Sequence, residues 1–177
     1  MATNSKKTVQ DDDSALKELF LDELKDIFWA EQHLAKTLPK MAEGTTSEDL
    51  KKVFTNHLEQ TENHITRLEQ AFKSIGEEAE AVKCEAMNGL LKEANELMED
   101  TDEGTIVRDV ALISAAQKVE HYEIASYGTI KTLALILGYQ EAADLLDKTL
   151  KEEKATDKLL SQIAESLINS EAAKEKK

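Results

Sequence analysis

Glutamate and histidine recur in this chain at positions where helical spacing otherwise places apolar side chains. Glu31 falls in register with Phe20, Leu24, Ile27, Leu34 and Leu38. His57, Thr61 and His64 share a face with Leu50, Phe54, Leu68, Ala71 and Ile75, and Gln60 lies at its edge. Glu123 shares a stripe with Leu112, Ala116, Val119, Ile130, Leu133 and Leu137, with Glu120 on the flank one turn earlier. Glu153 lies among Leu146, Thr149, Thr156, Leu160, Ile163 and Leu167, and Asp157 follows one turn later. Any one of these could be a solvated flank or a satisfied core residue. As a set they imply something else. A carboxylate buried alone costs several kcal/mol or takes up a proton, and several facing one another are worse. A bound cation supplies the missing positive charge. Oxygen and imidazole donors without an inward thiolate suit iron, manganese or zinc. The candidate metal ligands are therefore Glu31, His57, Glu120, Glu123, Glu153 and Asp157, with Gln60 and His64 left open.

These residues need long helices to hold them. The apolar spacing predicts a helix from Ser14, an N-cap after three aspartates, that ends or kinks at Pro39. A second spans 48–75, opened by a capping box of Thr46 and Asp49 and closed by Gly76. A connector over 77–104 includes a short amphipathic helix, 84–98. Two further long helices cover 106–137, closing at Gly138, and 140–168. Short turns make two antiparallel hairpins, and the connector makes one long crossover. The expected fold is an all-α, ferritin-like four-helix bundle with a short extra helix. It would occupy residues 14–169, between disordered tails at 1–13 and 170–177. Folding the first hairpin about positions 43–44 faces Glu31 with position 56, beside His57. The second hairpin brings Glu120 and Glu123 level with Glu153 and Asp157.

Composition agrees with this plan. Ala, Leu, Glu, Lys and Arg make up about half of the 177 residues, and there is one proline. The net charge of −14 argues against direct binding to nucleic acid or anionic membranes. Cys84 is the single cysteine, which fits a reducing compartment, and no stretch resembles a signal peptide or a membrane span. A cytoplasmic location is expected. No P-loop, dinucleotide-type glycine motif or zinc-spaced cysteine pair is present, so hydrolase and nucleotide chemistry lack support.

Four segments resemble a known family. AAQKVEHYEIASYGT (115–129), NHLEQT (56–61), AMNGLLKEANEL (86–97) and TLKEEKATDKL (149–159) are similar to the YciF-type ferritin-like proteins of bacteria, over about residues 16–168. The resemblance implies a rubrerythrin-like fold, a di-metal site and a part in stress responses. Rubrerythrins carry Glu-x-x-Glu on the third helix and a glutamate 33 residues beyond its first member. Glu120, Glu123 and Glu153 match that pattern. On that resemblance Glu31 is the first-helix ligand, Glu120 bridges, and Glu123 and Glu153 are terminal. Two positions depart from it. Thr156 stands where a histidine is usual, with Asp157 beside it, and Gln60 stands where the family has glutamate. His57 or His64 could compensate.

The function the residues and the resemblance imply is a protein with a carboxylate-rich, di-iron site in oxidative or general stress response, with ferroxidase- or peroxidase-like chemistry toward O2 or peroxide. The alternative is a metal-free helical dimerisation or adaptor protein. Phe28 and Trp29 lie off the inner stripe and could form a homodimer surface or pack under the crossover. Tyr127 could hydrogen-bond a ligand carboxylate or simply pack. His33 and His121 point outward by phase, and Cys84 is expected to pack as a small hydrophobe.

Overall fold

The computed structural model describes residues 14–176, so the expected N-terminal tail at 1–13 lies outside the described residues. Five helices of substantial length follow in order: α1 (Ala15–Gly44), α2 (Glu48–Ser74), α3 (Glu85–Asp100), α4 (Ile106–Ile136) and α5 (Gln140–Ile163). A π-helical turn, Ala164–Ile168, carries α5 into a last short helix, α6 (Asn169–Ala172). No strand occurs among the described residues.

The helices α1 and α2 form one antiparallel hairpin, and α4 and α5 form the other; α2 packs on α5 and α1 on α4, while α3 lies along α4. This is the expected all-α bundle of two hairpins and one long crossover. The hairpins are fastened at both ends. At one, the buried Asp109 carboxylate of α4 accepts from the backbone N–H groups of Thr46 and Ser47, each at 2.8 Å. At the other, the Phe20 and Tyr139 rings lie 5.8 Å apart. Gly138, at φ +80°, lets Tyr139 N–H reach back to the Ala134 carbonyl at 2.8 Å, a turn that closes α4.

Four local expectations are corrected. Pro39 does not end α1, which runs on to Gly44. The ring faces solvent, while Leu38, Met41 and Ala42 are buried on the opposite side. Burying them offsets the roughly 3 kcal/mol that an interior proline costs. The cap of α2 is Ser47, accepting from Leu50 N–H, because Thr46 is engaged by Asp109 instead. Phe28 is buried against Phe72, ring centroids 5.7 Å apart, so only the half-buried Trp29, stacked on His33, remains of the expected dimer face. Residues 170–176 are not a free tail. They begin inside α6, and the Glu175 carboxylate accepts from Ile106 and Val107 N–H at 2.9 and 3.0 Å. The first turn of α4 has unpaired N–H groups and a positive dipole end, both of which draw a carboxylate.

Candidate metal centre

Each of the four long helices sends donors into the middle of the bundle at one height. They are Glu31 from α1, His57 and His64 from α2, Glu120 and Glu123 from α4, and Glu153 from α5, all of them buried. The ligand atoms of His57, Glu120, Glu123 and Glu153 all lie within 4.8 Å of one another, as do those of Glu31, His64 and Glu153. Glu153 belongs to both groups.

Distances within the cluster are short. His57 Nε2 lies 3.1 Å from Glu120 Oε1. His64 Nδ1 lies 2.9 Å from Glu153 Oε1 and 3.4 Å from Glu31 Oε1. These atoms are close but not aligned as hydrogen bonds. Both ring nitrogens of His57, Nδ1 of His64, and both oxygens of Glu123 and of Glu153 are buried without a hydrogen-bond partner. Native proteins rarely leave such groups unmatched, because each costs about 1–3 kcal/mol. Imidazole nitrogens and carboxylate oxygens converging without aligned hydrogen bonds between them are what a cation needs, so the donor set fits a metal of the iron, manganese or zinc kind.

Other residues orient these donors. The Tyr127 hydroxyl, fully buried, donates to Glu31 Oε1 at 2.5 Å. Glu152 lies on the outer side of α5, next to the inward Glu153. Arg67 grips it with two guanidinium nitrogens, Nη1 at 2.5 Å and Nη2 at 2.9 Å. The same carboxylate lies 2.8 Å from His64 Nε2. Burial pushes the Glu152 carboxyl up, but Arg67 and His64 outweigh it and hold it below its usual range. An ionised carboxylate can only accept, so Nε2–H donates. A neutral His64 ring then turns its Nδ1 lone pair toward Glu31 and Glu153, the arrangement in which a histidine binds metal.

The electrostatics of the cation-free cluster are strained. Burial drives the Glu123 carboxyl well above its usual range, helped by the charges of Glu153, Glu31 and Glu120. Glu31 is also raised by burial. Glu120 is raised to about 7 by burial, against the pull of His57. Burial lowers both histidines, but the surrounding carboxylates dominate. Glu120 brings His57 up to about 9, and Glu153 and Glu31 bring His64 up to about 11.

Of the six residues selected from sequence, Glu31, His57, Glu120, Glu123 and Glu153 converge and Asp157 does not. Asp157 sits on the α4–α5 flank, 3.2 Å from His121 Nε2, and accepts from Gln117 at 3.3 Å. His64 joins the cluster instead; its seven-residue spacing from His57 is the signal for it. Glu31 lies against His64 rather than His57, because α1 continues past Pro39 and moves the hairpin turn toward Thr45–Ser47. The carboxylate common to both groups is Glu153 rather than Glu120. Gln60 stays at the rim, its Oε1 accepting from Thr156 Oγ1 at 3.4 Å. Sequence reasoning did not find Arg67 and Glu152, whose pairing joins residues 85 positions apart. Cys84 caps α3, accepting from Met87 N–H, and lies 3.2 Å from the Tyr122 hydroxyl, which donates to Asp26.

The fold and site together define a four-helix bundle, crossover-linked, with a buried carboxylate–imidazole cluster at its centre. Residues 15–173 match the family described as a domain of unknown function (DUF892), and the chain belongs to it. It is 48% identical to protein YciF of Escherichia coli strain K12 over 158 residues, 89% of this chain and 95% of that one. The crystal structure of the E. coli stress protein YciF superposes with a TM-score of 0.82 at 46% identity, covering 92% of this chain and 99% of that one. YcfI of Rhodopseudomonas palustris gives a TM-score of 0.81 at 43% identity, covering 85% and 96%. A Xanthomonas campestris protein at 20% identity, TM-score 0.68, shares the fold. No helix among the described residues is long and apolar enough to cross a membrane.

Proposed function

We propose that this protein binds a pair of divalent transition metal ions in its central cluster and serves a stress response of the kind named for YciF. Iron is the first candidate, with manganese or zinc as the alternatives the donor set admits. Glu123 carries the reading. Its two oxygens are fully buried, receive no hydrogen bond, and face three other carboxylates. Glu31 and His64 would hold one ion, His57, Glu120 and Glu123 the other, and Glu153 would be shared. Bound iron would supply oxidation of the ferrous ion coupled to reduction of O2 or peroxide, the chemistry of ferritin-like centres. The chain's own part is to keep the donors at one height, to aim His64 through Glu152, and to exclude bulk water. Metal analysis of protein purified without chelator, followed by anaerobic titration with ferrous ion, tests this. Two ions per chain, with O2 or peroxide consumed by the loaded form, is the expected result.

A second reading has one observation in its favour. His57 and His64 can carry positive charge beside Glu120, Glu31 and Glu153, so a cation-free core could persist as an ion-pair network. The protein would then be a helical adaptor. Absence of tight binding for ferrous, manganous and zinc ions alike would favour it.

A further inference from the structure

A buried cation centre needs a way in. Around this cluster, polar atoms run without a break from solvent to the donors along one wall, the seam between α2 and α5. Arg67 and Glu152 stand at its mouth, their side chains 23% and 32% exposed. Glu152 Oε2 touches His64 Nε2 at 2.8 Å, and His64 is itself 1% exposed and 2.9 Å from Glu153. Thr149 extends the same path, 3.4 Å from Arg67 Nη1. Thr61, wholly buried on the same face of α2, has a hydroxyl with no hydrogen-bond partner. The opposite wall between α1 and α4 differs. It carries separate polar pairs, Tyr122 with Asp26 and Tyr127 with Glu31, beside Ile27, Leu34, Val119 and Ile130, each at most 3% exposed, and α3 packs along both α1 and α4.

Resting on the metal-binding reading above, we propose that the α2–α5 seam is the entry route for the cation. Glu152 is the carboxylate that first takes the ion, and Arg67 is the positive charge that occupies Glu152 until the ion arrives. Both oxygens of Glu152 are engaged by the Arg67 guanidinium, which has the charge and reach to neutralise the carboxylate but is tethered to α2 by a flexible side chain. An incoming divalent ion competes for the same oxygens. Arg67 then swings outward, and the ion is handed past His64 to Glu153, the next residue on α5. The chain's acidity, −14 overall, concentrates cations at such a mouth.

The test is the rate of cobalt(II) uptake by the full chain, followed by the ion's visible absorption after rapid mixing, with release measured into excess chelator. Arg67→Met frees Glu152 and should load about tenfold faster and release faster, with final stoichiometry unchanged. Glu152→Gln should load about tenfold more slowly. Asp157→Asn, a change on the α4–α5 flank, should load at the wild-type rate. Circular dichroism of each metal-free variant checks folding, and Arg67→Lys, which keeps a charge but loses the two-pronged grip, should fall between wild type and Arg67→Met. If Arg67 and Glu152 variants change equilibrium affinity while uptake rates stay at wild type, the two residues only orient His64 and the route is wrong. Slowed uptake in Asp157→Asn alone places the entry on the other flank. If wild-type protein takes up no cobalt, and no iron, manganese or zinc, the metal reading falls and the route with it.

Discussion

Replacing Glu123 with leucine should make the cation-free protein more stable. The side chain is fully buried, neither oxygen has a hydrogen-bond partner, and Glu153, Glu31 and Glu120 add like charge. Its carboxyl is raised well above the usual range by burial first and by those neighbours second, so at neutral pH the folded state bears the cost of either desolvating the charge or taking up a proton. A buried polar group without a partner costs about 1–3 kcal/mol. In a chain of this size 1 kcal/mol moves the melting temperature by about 2–4 °C, so the variant should melt about 2–12 °C higher without metal. Glu59, exposed on α2, provides the control: Glu59→Leu should stay within about 0.5 kcal/mol of wild type. With ferrous or manganous ion the order should reverse. Wild type binds the ion in the native state and gains stability; Glu123→Leu has lost a ligand and gains much less. Calorimetric melting of both proteins, with chelator and with metal, gives all four numbers. A cation-free Glu123→Leu that melts lower than wild type would show that Glu123 is stabilised by its surroundings, and the cation argument built on it would fail. An equal metal-induced rise in both proteins would remove Glu123 from the centre.

Three further outcomes follow from the same geometry. Filling both positions with divalent ions at pH 7.5 should expel at least two protons per chain, since His57 and His64, held at about 9 and about 11, must give up theirs to become ligands and the raised Glu123 carboxyl adds to the release; titration calorimetry in buffers of different ionisation enthalpy counts them, and no buffer dependence would exclude both histidines. The cation-free protein should gain stability as pH falls from about 9 to 6. The raised His57 contributes stability that is lost as pH rises through about 9, His64 stability that is lost only toward about 11, and the raised Glu120 carries a penalty that fades as pH falls below about 7; melting curves at about 0.3 M salt should show it, with metal flattening the dependence, and a cation-free curve that is level over this range would contradict it. Asp109→Ala should lower the melting temperature by about 2–12 °C, the equivalent of about 1–3 kcal/mol, because two part-buried backbone hydrogen bonds that fasten the α1–α2 turn to α4 are lost. That loss should be the same with and without metal, and a difference would tie the turn to the centre.

Most of the bundle is legible in the sequence because its apolar residues keep helical period over four long stretches, and because Gly76, Gly138 and the short turns punctuate them. What is not legible depends on groups far apart in the chain. Pro39 reads as a stop by local rules, and only the burial of Leu38, Met41 and Ala42 carries α1 through it. Thr46 has the spacing of a cap, but Asp109, 63 residues away, takes its N–H and leaves Ser47 to cap α2. Phe28 has the phase of a flank residue, yet Phe72 of the neighbouring helix covers it.

The central cluster follows the same division. A polar residue in an apolar stripe is a local signal, and it found Glu31, His57, Glu120, Glu123 and Glu153. Height is a tertiary property. Reflection about a turn ranked His57 above His64 as the partner of Glu31, and the continuation of α1 from Pro39 to Gly44 was enough to exchange them. Asp157 shows the limit of phase. It follows Glu153 by four residues, but its carboxylate is drawn to Gln117 and His121 at the surface. Arg67 and Glu152 carry no local signal at all. Each reads as an ordinary charge on an exposed helix face, and only the packing of α2 on α5 makes the pair the outer end of a hydrogen-bonded line to His64. The inward ligands are thus selected by what their own helix cannot otherwise tolerate. The residues that aim them and connect them to solvent are selected by what the next helix presents.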